Sequence, residues 1–272
     1  MEVNIGLGFL ISALIAAAGY KKRALTPGGF WGAVLIGTLI ISFGGWLWFA
    51  LMLVFFVSSS LLTRYRREEK KTVGQKFAKG GPRDFIQTLA NGGLGAVLAV
   101  LSSIFASPLW FGAYVGAMAT VNADTWATEL GILSRRLPRL IINGAQVPPG
   151  TSGGITRVGF LASVSASLLI GMAAVTGLLI KTAALHSHLW IAGAALISGT
   201  LGALLDSLLG ATGQVMYYCE KCREETEAPV HSCGRHALQI RGKNWLNNDG
   251  VNLISSVFGA GLGALLAIFW AG

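Results

Sequence analysis

Apolar runs recur along the whole chain, at 3–20, 30–62, 85–105, 109–123, 158–180, 189–209 and 251–270. Most approach or exceed the ~20 residues that a helix needs to cross the ~30 Å hydrocarbon core of a bilayer. The 30–62 run would be about 50 Å long as one helix at ~1.5 Å per residue. It carries Gly44 and Gly45 at its middle, so two short spans are expected there. The pattern predicts an all-α, polytopic membrane helical bundle of about eight transmembrane helices. It reads as a single integral membrane domain over 1–272 with one long polar loop at 214–249.

Charge tests that count. With the N-terminus outside, eight spans place the connections 21–29, 63–84, 124–157 and 210–250 inside, and these hold 20 of the 21 Lys and Arg. Only Lys181 falls outside. Basic residues concentrate in cytoplasmic loops, so both termini are expected outside and the polar chemistry at the cytoplasmic face of a cell membrane. One helix over 30–62 would scatter the basic loops over both faces. Composition agrees: 53% hydrophobic, 12% charged, mean hydropathy +0.61, against ~25% charged in a soluble domain. The net charge of +9 is accounted for by these loops, and no nucleic-acid partner is expected. The first apolar run follows Glu2 and precedes Lys21, Lys22 and Arg23, the reverse of a secretion signal, so it reads as a retained helix. The outer connections are bare, and His186 and His188 there read as solvated.

Four stretches bring unusual polar residues to the inner face: "VNADTWATELG" with Asp124 and Glu129 just past the fifth span, "PPGTSGGIT" (148–156), "GALLDSLLGATGQ" (202–214) and "WLNNDGVNLISS" (245–256). A weaker fifth, "RDFIQTLANGG", carries Gln87 and Asn91. Several have structural readings: Asp249 or Thr156 as helix caps, Gln87 and Asn91 as interhelical hydrogen-bonding groups. Asp206 lies inside an apolar run, where an ionised Asp costs at least ~2.5–3.5 kcal/mol unless a cation, a partner or water meets it. Asp124, Glu129, Asp206 and Asp249 offer the oxygen ligands that Mg²⁺ prefers. The turn 150–154 could direct backbone N–H groups at a phosphate. Arg64, Lys70, Lys71, Arg83 and Arg157 could neutralise phosphate charge.

Together these motifs resemble the membrane family that includes plant phytyl-phosphate kinase, along nearly the whole chain, with "KKRALTPGG", "SSSLLTRYR" and "LANGG" adding to the match. The resemblance implies a phosphotransferase: a prenyl-phosphate kinase of isoprenoid metabolism that converts a phytyl or geranylgeranyl phosphate to its diphosphate, with CTP as donor and Mg²⁺. Carried over, the acidic motif falls on Asp124 and Glu129, and the glycine turn on Gly150, Thr151, Ser152, Gly153 and Gly154. The later acidic position falls on Asp206, and the Asn-rich helix start on Asn248, Asp249 and Asn252. Asn91 joins the cofactor-binding set. Catalytic weight goes to Asp124, Asp206 and Glu129, and Mg²⁺ ligation to Asp124, Asp206 and Asp249. The prenyl tail is expected between helices where Gly92, Gly93, Gly112, Gly116, Gly199 and Gly202 leave room, unless those glycines serve packing alone. An ion-coupled transporter or lipid flippase, or a CTP-dependent lipid cytidylyltransferase, are the competing classes.

The departure from that family is "YYCEKCREETEAPVHSCGRH" (217–236). Cys219, Cys222, His231 and Cys233 suit a Cys₃His structural Zn²⁺ site, with His236 as an alternative fourth ligand and free thiols as the alternative state. A cytoplasmic loop disfavours a disulfide.

Overall fold

The computed structural model describes residues 3–74, 81–180, 182 and 188–271. Lys181 and His186 lie outside them. The helices are α1 (Ile5–Lys21), α2 (Pro27–Leu39), α3 (Gly45–Arg64), α4 (Arg67–Gly74), α5 (Phe85–Ile104), α6 (Pro108–Gly131), α7 (Arg157–Leu179), α8 (Leu189–Thr212) and α9 (Asn248–Ala271). Among the described residues, all but the eight-residue α4 belong to the bundle, which gives the expected eight. Their starts follow local chemistry. Asn4, Thr26, Ser107 and Thr156 each accept a hydrogen bond from the first turn of α1, α2, α6 and α7, and Pro opens α2 and α6.

The long second apolar run breaks at Gly44 and Gly45, after one π-helical turn over Ile40–Gly44. Gly45 takes φ +80°, open to glycine without strain. The chain then doubles back: Phe49 of α3 meets Gly37 of α2, and Phe56 packs with Leu25 and Val34 at the start of α2. At the same end, Arg83 joins three segments. Its backbone pairs with Ala24 and Thr26, and its Nη1 donates to Ser60 Oγ at 3.1 Å. The connections at 21–29 and 63–84 therefore share one face.

Helix α6 is the centre of the bundle, with every residue from Gly112 to Ala123 buried. Its small residues admit neighbours at backbone distance. A Cβ on Gly116 would collide with the Gly259 carbonyl of α9, and one on Gly112 would strike Gly263. Gly199 is closed by Ser167 and Ala119, and Gly202 by Thr120. These four glycines pack helices and leave no space for a lipid tail, whereas Gly92 lines an apolar cavity. Polar ties fix the same helix in register. Tyr114 Oη donates to Trp48 O of α3 (2.6 Å), while Asn122 donates to Ala166 O of α7 (3.0 Å) and accepts from Ser58 of α3 (3.1 Å).

The connections hold short strands that an all-α expectation omits. β1 (Arg139–Leu140) and β2 (Gly154–Ile155) pair antiparallel around the glycine turn. β3 (Met216–Cys219), β4 (Glu224–Thr226) and β5 (Leu238–Arg241) form an antiparallel ribbon ordered β4–β3–β5.

The glycine contacts make a direct test. Gly116→Ala should lower stability by at least ~1–3 kcal/mol, because its methyl group meets backbone that cannot yield. Gly261→Ala, which meets nothing within 4 Å, should leave it unchanged. Thermal unfolding of the two variants in detergent reads the difference.

Candidate active site

Helix α6 runs two turns beyond the end expected from hydropathy, so Asp124 and Glu129 stand on the helix and not past it. Helical continuation keeps them on a rigid element and turns Asp124 toward α8. There its carboxyl group meets that of Asp206 side chain to side chain. Ser255 of α9 donates to Asp206 Oδ2 at 3.2 Å. Asp206 is 9% exposed and Asp249 7%; Asp124 is half-buried. The cap of α9 falls to Asn247, whose Oδ1 accepts from Gly250 N at 3.0 Å. Asp249 is thereby placed inside the first helical turn.

The glycine turn sits opposite. Gly150 and Gly153 both take left-handed backbone, φ +81° and +83°. Gly153 also lies against the backbone of Ala211, where any side chain would clash. Ser152 Oγ donates to Gln214 Oε1 (3.0 Å), and Gln214 Nε2 donates to Glu227 Oε1 (2.9 Å). Arg241 clasps the assembly from outside. Its Nη1 donates to the Gly210 (2.9 Å) and Ala211 (2.6 Å) carbonyls at the end of α8, and its Nη2 to Ser152 O (3.3 Å).

The acids and the glycine turn line one cavity of about 630 Å³. Asp124, Glu129, Asp206, Asp249, Asn91, Gln87, Asn248, Asn252 and the whole 150–154 turn border it, so all the acidic, asparagine and glycine-turn positions singled out in the sequence converge. Of the basic residues proposed, Lys70 and Arg83 border it and Arg64 and Arg157 do not; the side chain of Lys71 is outside the described residues. Arg67, Arg136, Gln214 and Glu227 border it as well, unanticipated. No spacing marks Glu227 among four glutamates of one loop, and Gln214 is distinguished only by its burial. The first turns of α5, α7 and α9 also open on this cavity, and helix N-termini favour anions.

Two positions have other partners. Glu129 accepts from Thr63 Oγ1 (2.6 Å) and pairs with Lys70 Nζ (2.6 Å). Gln87 completes a capping box with Asp84 at the start of α5. A second cavity, about 60 Å³ and apolar, lies among α1, α2, α3 and α5 and shares Arg83 and Asn91 with the first.

In the ribbon, the ligand atoms of Cys219, Cys222, His231 and Cys233 lie within 4.8 Å of one another. His236 is exposed and outside this group.

Eight membrane helices closed over an acidic, glycine- and arginine-lined cavity define an integral membrane protein with a polar site at one face. The chain belongs to the integral membrane protein family DUF92, whose profile matches residues 10–260. It is 32% identical to Protein PGR of Arabidopsis thaliana, covering 96% of this chain and 95% of that one. It is 30% identical to an uncharacterized membrane protein of Methanocaldococcus jannaschii (97% and 94% covered). To Protein VTE6, chloroplastic, of Arabidopsis thaliana it is 25% identical (90% and 64% covered). No solved structure matches the chain.

The Lys70–Glu129 pair is largely withdrawn from solvent, with side-chain exposures of 8% and 17%. Lys70→Met should therefore cost ~1–3 kcal/mol by leaving a carboxylate without its cation. Adding Glu129→Gln should return part of that loss. A double-mutant cycle on unfolding midpoints measures the coupling.

Proposed function

We propose that this protein transfers the γ-phosphoryl group of CTP to a prenyl monophosphate, forming the diphosphate, at the cytoplasmic membrane face. The observation that carries the reading is the Asp124–Asp206 pair, set in a cavity that also presents a glycine turn, three helix N-termini and arginines. The acidic, glycine-turn and Asn-rich motifs that resemble the phytyl-phosphate kinase family line it, with Asp206.

The donor set suits Mg²⁺: Asp124, Asp206 and Asp249 are hard carboxylate ligands, few enough to leave room for phosphate oxygens. When bound, the ion neutralises donor phosphate charge. The 150–154 turn and the starts of α7 and α9 direct N–H groups toward the phosphates. Arg83, Arg67 and Arg136 supply positive charge to offset the negative charge on the oxygens of the transferred group. Positioning and electrostatics carry most of such a reaction. A phosphate oxygen of the prenyl phosphate forms the new P–O bond as the bond to the β-phosphate oxygen breaks, and CDP leaves. The acceptor is already ionised, so no general base is needed. Glu129 serves by holding Lys70 and α4 at the rim. The prenyl tail enters the bundle past Arg83 and Asn91, where the apolar cavity adjoins the polar one.

Detergent-purified protein given Mg²⁺, geranylgeranyl or phytyl monophosphate and CTP labelled at the γ-phosphate should yield labelled lipid diphosphate. Asp124→Asn and Asp206→Asn should each cut the rate by at least ~10²-fold with unchanged unfolding temperature. Lipid labelled from the α-phosphate would indicate transfer of a CMP unit, and no product with any prenyl phosphate would favour a transporter; either outcome overturns the reading.

A further inference from the structure

The β3–β4–β5 ribbon has its own chemistry, apart from the cavity. Cys219 ends β3 and Cys222 follows in the turn to β4, which closes with the Arg223 N–H donating to Cys219 O (2.7 Å) and Arg223 at φ +55°. The second pair repeats the device: the Gly234 N–H donates to His231 O (2.8 Å), with Gly234 at φ +79°. Two tight turns thus present two side chains each to a common point.

The separations fit a metal and not a disulfide. Cys219 Sγ and Cys233 Sγ are 3.7 Å apart. A disulfide needs ~2.05 Å, whereas a tetrahedral zinc with Zn–S bonds of ~2.3 Å sets an S···S edge of ~3.8 Å. His231 supplies an independent sign. It is 4% exposed, and its Nδ1 lies 3.4 Å from the Cys233 backbone nitrogen. Its Nε2 is buried with no hydrogen-bond partner among the described residues. A buried imidazole nitrogen left bare is costly, and metal ligation is what such an atom can do.

The ribbon is also wired to the cavity. Glu227 follows β4, Gln214 precedes β3 and Arg241 ends β5, and through them the ribbon grips Ser152 and the end of α8. We propose that Cys219, Cys222, Cys233 and Nε2 of His231 bind one zinc ion tetrahedrally. The bound metal fixes the ribbon so that Glu227, Gln214 and Arg241 hold the 150–154 turn in place. Thiol protons are released to solvent on binding. Any effect on turnover rests on the phosphotransferase reading above; the metal site and its grip on the turn do not.

The test uses full-length protein purified under reducing conditions. Zinc content is measured, the metal is stripped with a chelator, and Co²⁺ is added to look for the visible absorption of tetrahedral thiolate-bound cobalt. Amide exchange over 150–154 and the ribbon is followed with and without metal. The expected result is one zinc per chain, lost in Cys222→Ser, whose parent side chain is exposed and not needed for packing. The cobalt spectrum should appear, and exchange at 150–154 should become about tenfold faster on stripping. No zinc and no cobalt absorption from protein with free thiols would overturn the site, as would a Cys219–Cys233 disulfide found by alkylation and mass. Metal bound with exchange at 150–154 unchanged would overturn the coupling. None of these readouts needs turnover, so failure of the kinase assay leaves them distinct.

Discussion

Asp124 and Asp206 meet near the ends of two helices that are otherwise almost wholly apolar, and bringing two acids together away from bulk water is costly. A lone ionised Asp costs ~2.5–3.5 kcal/mol at the very centre of a span; nearer the helix end the cost is smaller, but mutual repulsion adds to it. The surroundings offset it from several directions. Ser255 hydrogen-bonds one carboxylate, and α5, α7 and α9 begin at the cavity, turning their positive ends toward it. Three arginines from two different connections border the same space. An arrangement that concentrates both acids and positive dipoles in one place is suited to a cation and anionic groups together, and poorly suited to being empty.

Holding the two acids in register demands a rigid frame, and the frame is made from small residues. Gly112 and Gly116 on α6 face Gly263 and Gly259 on α9, and Gly202 on α8 faces Thr120. In a bilayer there is little hydrophobic gain in joining apolar helices, so close backbone contact and hydrogen bonds must supply the attraction. Asn122 and Tyr114, fully buried, add polar ties that specify which turn of α3 and α7 lies beside α6.

Much of this is legible in the residues. Apolar run length and the distribution of Lys and Arg imply eight helices, and the glycine pair at 44–45 marks the hairpin, because the underlying forces are local and additive. Asp206 stands out because its cost is local too. Convergence is what a linear pattern conceals. Glu227 reaches the cavity from a loop rich in glutamate, and Gln214 from the end of a helix, through tertiary geometry that no spacing encodes. Hydropathy also ended α6 too early. Asp124 and Glu129 lower the local score, yet backbone hydrogen bonding carries the helix past them. The glycines admitted two readings, space for a lipid or helix packing, and at four of six positions the packing reading is the one that holds.

The partnership of α6 with α9 has a consequence for how the molecule is made. Residues facing each other across it, such as Gly116 and Gly259, are separated by most of the later half of the chain. During synthesis α6 enters the bilayer long before its partner exists, and its acidic end must wait while α7, α8 and the ribbon emerge. Contacts of such wide sequence separation form slowly. The half-built bundle is therefore the state most exposed to misassembly and to quality control. The helix that completes the cavity also ends that exposure, so biogenesis and the maturation of the site become one event.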